Sequence, residues 1–350
     1  MKKTFSNLLP ALFPLVLMLS GCAQDTTSPS SGQWKEASSN AFSSGRYGLA
    51  GTVFNNSMWV AGGAAEGSGG TTVYFSDVYS SGNGSSWQQT NGSAPFGGRF
   101  GSQMLSFNGQ LWLIGGNSDG ALKNDVWSST DGVTWTNVLP NNYTPGPNQF
   151  NGREDFGAVV FNNLMWVIGG WAGASKNDVW SSPDGVTWTQ VLANGTAGAG
   201  HFAGRWGFAC LVYNNAIWIL NGASSASAGT NPTAAYGDVW TSTDGSTWSQ
   251  VSTGKLHPLY YEQAVVSSSN LIFLTLGYLW NGWGAQPYQV TSSDGITWSQ
   301  AGVGYPQRFG HLSLEYNNSI WVMGGCNNVC LTNPCPTTVT YYNDVWSSQQ

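Results

Sequence analysis

The sequence predicts an all-β fold made of six copies of one four-stranded unit, and three observations point to it. Only 8% of the 350 residues are charged, against about 25% in ordinary globular domains. Helical surfaces need Glu, Lys, Arg and Ala, so this scarcity argues against long helices. Glycine (47 residues) and tryptophan (19) are abundant, which fits short strands joined by tight turns and excludes disorder, because disordered chains lack aromatics. Finally, the chain repeats itself with a period of roughly 50 residues.

The parts of the unit come in a constant order. Each copy carries an apolar stretch, a turn that is usually Asn-Asn or Asn-Gly, an aromatic residue that is usually Trp, and in most copies Gly-Gly; a variable loop, a second strand pair and an Asp-Gly turn follow. In the second copy these are Phe107-Asn108-Gly109, Trp112, Gly115-Gly116, Asp125-Val126-Trp127 and Asp131-Gly132-Val133-Thr134-Trp135. Every part is strand-length and every turn has hairpin chemistry, so one copy is an antiparallel meander of strands a to d. Strand b carries Trp59, Trp112, Trp166, Trp218, Phe273 and Trp321, and strand d carries Trp87, Trp135, Trp188, Trp248 and Trp298. The last copy stops soon after Asp344-Val345-Trp346, whereas Gln33-Trp34-Lys35 stands alone before the first. The segment around Trp34 is therefore expected to supply strand d of the last unit. Such closure removes two exposed edges and predicts a six-bladed β-propeller of four-stranded blades, closed by an N-terminal strand.

The N-terminal residues read as an address. Lys2 and Lys3 precede an apolar run from Leu8 to Leu19, of the length of a signal peptide and short for a membrane span. The run ends in Leu19-Ser20-Gly21-Cys22, which resembles a bacterial lipobox. That resemblance implies a signal peptide over 1–21, acylation of Cys22, and a flexible tether over 22–31 ahead of the propeller at 32–350. Several acyl chains on one residue give stable anchoring. Ala23 rather than Asp after the cysteine implies the outer membrane of the cell envelope. The formal charge is −6 and no basic run follows Lys3, so a nucleic-acid partner is not expected.

Gly-Gly after strand b, Asp before strand c, Trp in strand d and Arg at the start of strand a resemble kelch repeats across residues 32–350. The turns Ser129 to Trp135, Ser182 to Trp188, Ser242 to Trp248 and Ser292 to Trp298 also resemble the Asp-box of sialidases. Both resemblances speak to the fold; function has to be argued from the residues that the scaffold leaves over.

Loops between blades and loops from b to c emerge on one face, which is the expected binding face. Five arginines share one repeat position near it: Arg46, Arg99, Arg153, Arg205 and Arg308, with Tyr260 assigned to that place in blade five. Two arrangements suit them. They form a ring at the channel mouth that would hold an anion, or they pair within each blade with Asp77, Asp125, Asp178, Asp238 and Asp344. Blade five lacks the arginine and has Tyr288 for the aspartate, and this joint loss favours pairing. Two residues beyond the arginine most blades have Gly, but blade three has Asp155, next to Glu154, and blade five is assigned Glu262. Carboxylates there could divide acid and base roles. His311 lies just inside strand a. Four tryptophans stand off the scaffold pattern, Trp171, Trp206, Trp280 and Trp283, and all map to the loop face as stacking candidates. Cys326, Cys330 and Cys335 share one loop and are disulfide candidates of open connectivity; no spacing supports a metal, and no cofactor is expected.

The expected function is an anchored, monomeric lipoprotein whose loop face binds a glycan or a protein. An alternative draws on similarity to kelch-type sialic-acid epimerases. It implies a sugar-acid enzyme in which Arg205 and Arg308 hold a carboxylate and Asp155 and Glu262 move protons. A sialidase-like hydrolase is less well supported, and nothing matches the copper site of kelch galactose oxidases.

Overall fold

Six four-stranded antiparallel sheets, each in the order a, b, c, d, make up the molecule. The structure is a computed structural model that describes residues 34–198, 200–225, 232–252, 256–275, 277–279, 288–327 and 339–349. In the first blade the strands are Ala50–Phe54, Ser57–Ala61, Val78–Ser81 and Gln88–Asn91. The sixth has Leu312–Tyr316, Ser319–Met323 and Val345–Gln349, and its outer strand is Trp34–Ser38, with Trp34 opposite Ser348. The N-terminal strand therefore closes the ring as the sequence predicts. The expected signal peptide, Cys22 and tether lie outside the described residues.

The a–b turns explain the recurrent asparagines. Asn55 and Asn56 have φ of 46° and 57°, and Asn162 and Asn163 have 49° and 58°. Positive φ at both central residues gives the turn whose twist matches a hairpin, and asparagine tolerates it. In blade five Val266 pairs with Ile272, whereas in blade one Val53 pairs with Met58. The blade-five turn is thus one residue longer.

The core lies between blades rather than at one centre. Met58, Val60, Trp321 and Met323 form one cluster across blades six and one, and Phe161, Trp166, Ile217 and Trp248 form another across blades three and four. Each strand-b tryptophan donates its indole N–H across its own hairpin, as Trp59 does to the Phe54 carbonyl at 3.0 Å. Its ring edge then lies on a glycine of the next blade's c–d turn, which is Asp-Gly in four blades and Asn83-Gly84 in the first: Trp59 on Gly132, Trp112 on Gly185, Trp166 on Gly245, Trp218 on Gly295 and Trp321 on Gly84. Blade five departs with Phe273, and the blade that follows takes its outer strand from the N-terminus and brings no such turn.

The Asp-box turns are structural. Ser129 Oγ accepts from Gly132 N–H at 2.8 Å, and Asp131 Oδ1 accepts from Val133 and Thr134 N–H, both at 2.8 Å. Those two amides hold the Asp131 carboxyl below its usual pKa.

At the inner end of the blades the backbone closes a circle. Gly48 N–H donates to Gly310 O, Gly310 to Tyr261, Tyr261 to Gly207, Gly207 to Asp155, Asp155 to Gly101, and Gly101 to Gly48, at 2.7–3.1 Å. All of these residues have φ between 53° and 66°, which explains the glycines and makes Asp155 and Tyr261 exceptions. The circle also corrects the register of blade five. Tyr261, not Glu262, holds the place of Gly48. Leu259 holds the arginine place, because its carbonyl accepts from Gly222 as that of Arg205 accepts from Gly170. Tyr260 is therefore the counterpart of Tyr47, one position beyond the arginine.

Candidate functional site

The arginines are bound into the blades. Arg153 Nη1 and Nη2 donate to the two carboxylate oxygens of Asp178 at 2.8 and 2.9 Å, Nη1 also to the Gly169 carbonyl, and Nε to the Asn151 carbonyl. Arg46–Asp77, Arg99–Asp125, Arg205–Asp238 and Arg308–Asp344 repeat the arrangement. All five arginines are 0–1% exposed. Trp180 Nε1 adds a hydrogen bond to Asp178 Oδ2 at 2.9 Å, the reason for the Asp-Val-Trp spacing. The pairing arrangement is the one adopted. The guanidinium groups expected as an anion-binding ring have their donors engaged within the blades, so Arg205 and Arg308 offer no free fork to a sugar carboxylate.

One residue beyond each arginine position, the loop face carries a ring of side chains. Tyr47, Phe100, Trp206, Tyr260 and Phe309 occupy five of these places, and Glu154 the sixth. Their backbones pair with the chain leaving strand b: Tyr47 with Ala64, Phe100 with Asn117, Glu154 with Trp171, Trp206 with Ala223, and Phe309 with Cys326. The aromatic rings touch. Tyr47 and Phe100 lie 5.6 Å apart, Trp206 and Tyr260 5.2 Å, Trp206 and Tyr261 5.4 Å, and Tyr261 stacks on Phe309 at 6.2 Å. Tyr74 and Tyr278 extend the layer outward. Tyr47, Phe100 and Trp206 are half-buried, whereas Tyr260 and Phe309 are buried.

A pair of carboxyl groups interrupts this annulus. Burial raises the pKa of Glu154, and repulsion from Asp155 adds to it, against a hydrogen bond with Asn117. Asp155 is raised by burial too and hydrogen-bonds to Tyr261, whose hydroxyl pKa rises in turn. The two acids take up protons as one unit, so at neutral pH the pair holds fewer than two full charges. Sequence reasoning placed Asp155 at this mouth; it missed Tyr261, because counting back from the longer blade-five turn put Glu262 in its place.

Inside the backbone circle lies an axial cavity of 40 Å³ lined from all the blades, including Ser102, Gln103, Asp155, Glu262, Gln263 and His311. Glu262 is 1% exposed. Its Oε2 accepts from Asn221 Nδ2 at 2.9 Å, while burial raises its pKa to about 8. Asp155 and Glu262 thus face one cavity, as the sequence suggested, but without a free arginine beside them.

The expected tryptophan sites divide. Trp171 is buried at 7% exposure within strand Leu164–Trp171, so it packs its blade and offers no stacking face. Trp206 belongs to the annulus, with its Nε1 bonded to Ser225 Oγ at 3.3 Å. Trp280 and Trp283 lie outside the described residues, as do Cys330 and Cys335. Cys326 is buried and pairs through its backbone with Phe309 and Tyr341. Among the described residues no group of three or more His, Cys, Asp or Glu is placed to hold a metal, and no helix is long and apolar enough to cross a membrane.

Comparison with known families agrees with this architecture. Residues 28–144 match the DUF6242 beta propeller domain, and residues 152–181 match the Kelch motif. No curated protein matches the chain. The molecule is a six-bladed β-propeller whose third blade is similar to the Kelch motif.

Proposed function

We propose that this protein is a lipid-anchored binding module of the bacterial cell envelope, held in the outer membrane through Cys22, whose loop face receives a protein partner on the aromatic annulus. Kelch-type propellers commonly serve as scaffolds for protein interactions, which supports a protein as the first choice. The observation that carries the reading is an aromatic residue at five of the six equivalent places, of which Tyr47, Phe100 and Trp206 are half-buried on the loop face while Tyr260 and Phe309 are buried. Packing within blades does not require aromatics at five successive equivalent places. Half-exposed aromatics around a small polar centre suit a desolvated contact with a polar core.

A glycan is the second reading, favoured by the partial exposure of Tyr47, Phe100 and Trp206, aromatic residues of the kind on which a sugar ring stacks. The sugar-acid enzyme has less support, since the arginines that would hold its substrate are engaged by aspartates.

Photo-crosslinking in intact cells tests the proposal. A photoreactive residue in place of Phe100 is expected to give protein adducts, and one in place of Val133, exposed on the opposite turn face, is not. Equal labelling from both faces, or none from Phe100, would sink the protein-binding reading. Metabolic labelling with a fatty-acid analogue, lost in Cys22→Ala, tests the anchor separately.

A further inference from the structure

Three buried side chains from different blades present unpaired atoms around the axial cavity. Ser102, Glu262 and His311 line it and are each no more than 2% exposed. Ser102 Oγ, Glu262 Oε1 and His311 Nδ1 have no hydrogen-bond partner among the described residues. Buried polar atoms in native proteins are almost always satisfied, so orphans clustered about one void point to something held there.

Proton accounting gives the polarity of the site. The single proton of Thr275 Oγ1 goes to the Gln263 carbonyl at 3.0 Å. Its lone pairs are then left to accept from Ser313 Oγ at 2.9 Å and from His311 Nε2 at 2.8 Å. His311 therefore carries its proton on Nε2 and turns a bare Nδ1 lone pair toward the cavity. Burial pulls its pKa down to about 3, so it does not take up a second proton. Glu262 Oε2 accepts from Asn221, so the proton of the neutral carboxyl sits on Oε1, which becomes an acceptor as the group ionises at about pH 8. The Ser102 hydroxyl can turn a lone pair inward. Asp155 adds a carboxyl to the same wall. Arg205 and Arg308, the cations that act on Glu262 and His311, are each ion-paired with an aspartate.

Once Glu262 gives up its proton, Glu262 Oε1 and His311 Nδ1 are two bare acceptors on one void, and such a pair suits a ligand that brings positive charge. We propose that the axial cavity binds a water-sized monovalent cation, ammonium or an alkali ion, on Glu262 Oε1, His311 Nδ1 and Ser102 Oγ. A volume of 40 Å³ admits a few water-sized species, at roughly 10–15 Å³ each, and excludes an organic cation. A divalent ion is disfavoured, because the described residues hold no group of three acidic, histidine or cysteine ligands. Its three ligands, Ser102, Glu262 and His311, are not members of the loop-face annulus.

Thermal melting of the purified protein at pH 8 in equal concentrations of ammonium, potassium, sodium and tetramethylammonium chloride tests this. At least one small cation is expected to raise the melting temperature by roughly 3 °C over tetramethylammonium, since it binds the folded state alone. Glu262→Gln, which keeps the shape and the Asn221 bond, should lose that difference, and Glu154→Gln should keep it. Identical melting in all four salts leaves water as the occupant and overturns the proposal. A difference that survives Glu262→Gln places the ion elsewhere and overturns it equally. Should Glu262→Gln not fold, anomalous diffraction from wild-type crystals grown in rubidium chloride decides: a peak between Ser102, Glu262 and His311 supports the site, and its absence rejects it.

Discussion

The indole edge of Trp59 occupies the space where a Cβ on Gly132 would stand. Two residues in neighbouring blades thus fix each other: the tryptophan needs a bare glycine, and the glycine, at φ 70°, also makes the Asp-box turn. Gly132→Ala meets both a clash and an unfavourable backbone. It is expected to destabilise the protein by about 2–4 kcal/mol, measured by chemical denaturation. Gly109→Ala, at nearly the same φ but with open space around it, should cost less.

Removing one member of a buried ion pair should be worse than removing both. Asp178→Ala leaves the Arg153 guanidinium without its counter-ion and is expected to cost about 3–5 kcal/mol. Arg153→Leu combined with Asp178→Leu should recover a large part of that loss. Blade five, with Leu259 and Tyr288 at these places, shows that a blade holds together without the pair. A double variant as unstable as Asp178→Ala would contradict this account.

Stability should decline with rising pH, and Glu262 should be a main cause. Its carboxyl has a pKa raised to about 8 in the folded chain, against about 4.3 when unfolded. The folded state therefore holds the proton more tightly. The contribution is complete below about pH 4 and is lost as pH climbs through about 8. In tetramethylammonium buffer the melting temperature is expected to fall from pH 5 to pH 8. Glu262→Gln should flatten that slope, leaving the part due to Glu154 and Asp155, which are shifted the same way. The Asp-box aspartates have lowered values and lose their contribution only as pH falls into the carboxylate range.

Deleting the chain through Ser38 removes the outer strand of the sixth blade. It bares the edge of Val345–Gln349 and strips Tyr305 of its contact with Trp34, 4.6 Å away. An exposed edge invites pairing with another chain. The expected result is a lower melting temperature and concentration-dependent association by light scattering, whereas deletion through residue 31 should leave both unchanged.

Blade count, strand order, ring closure and arginine–aspartate pairing were legible because each depends on residues that recur at one spacing. Arg and Asp vanish together in blade five, and that alone pointed to a pair. The same blade defeated the register. Its turn between Val266 and Ile272 has an extra residue, so counting back from the turn put Glu262 where Tyr261 stands. Trp171 looked like a loop residue, but strands b and c of blade three run on past Gly169-Gly170 and bury it. The axial cavity was legible only in part: Glu262 was expected near the channel mouth, but Ser102, Glu262 and His311, each one residue beyond the backbone circle, differ in type, and only closure of the ring gives them a common void.

The backbone circle through Gly48, Gly101, Asp155, Gly207, Tyr261 and Gly310 runs in one sense, each N–H pointing to the next carbonyl. Its peptide dipoles lie tangentially, head to tail, and their vector sum around the loop cancels. A helix end at the same place would present a partial charge. This mouth has no such bias from its main chain, so any preference for the sign of an entering group is left to Asp155 and Tyr261, the two positions of the circle where a side chain replaces glycine.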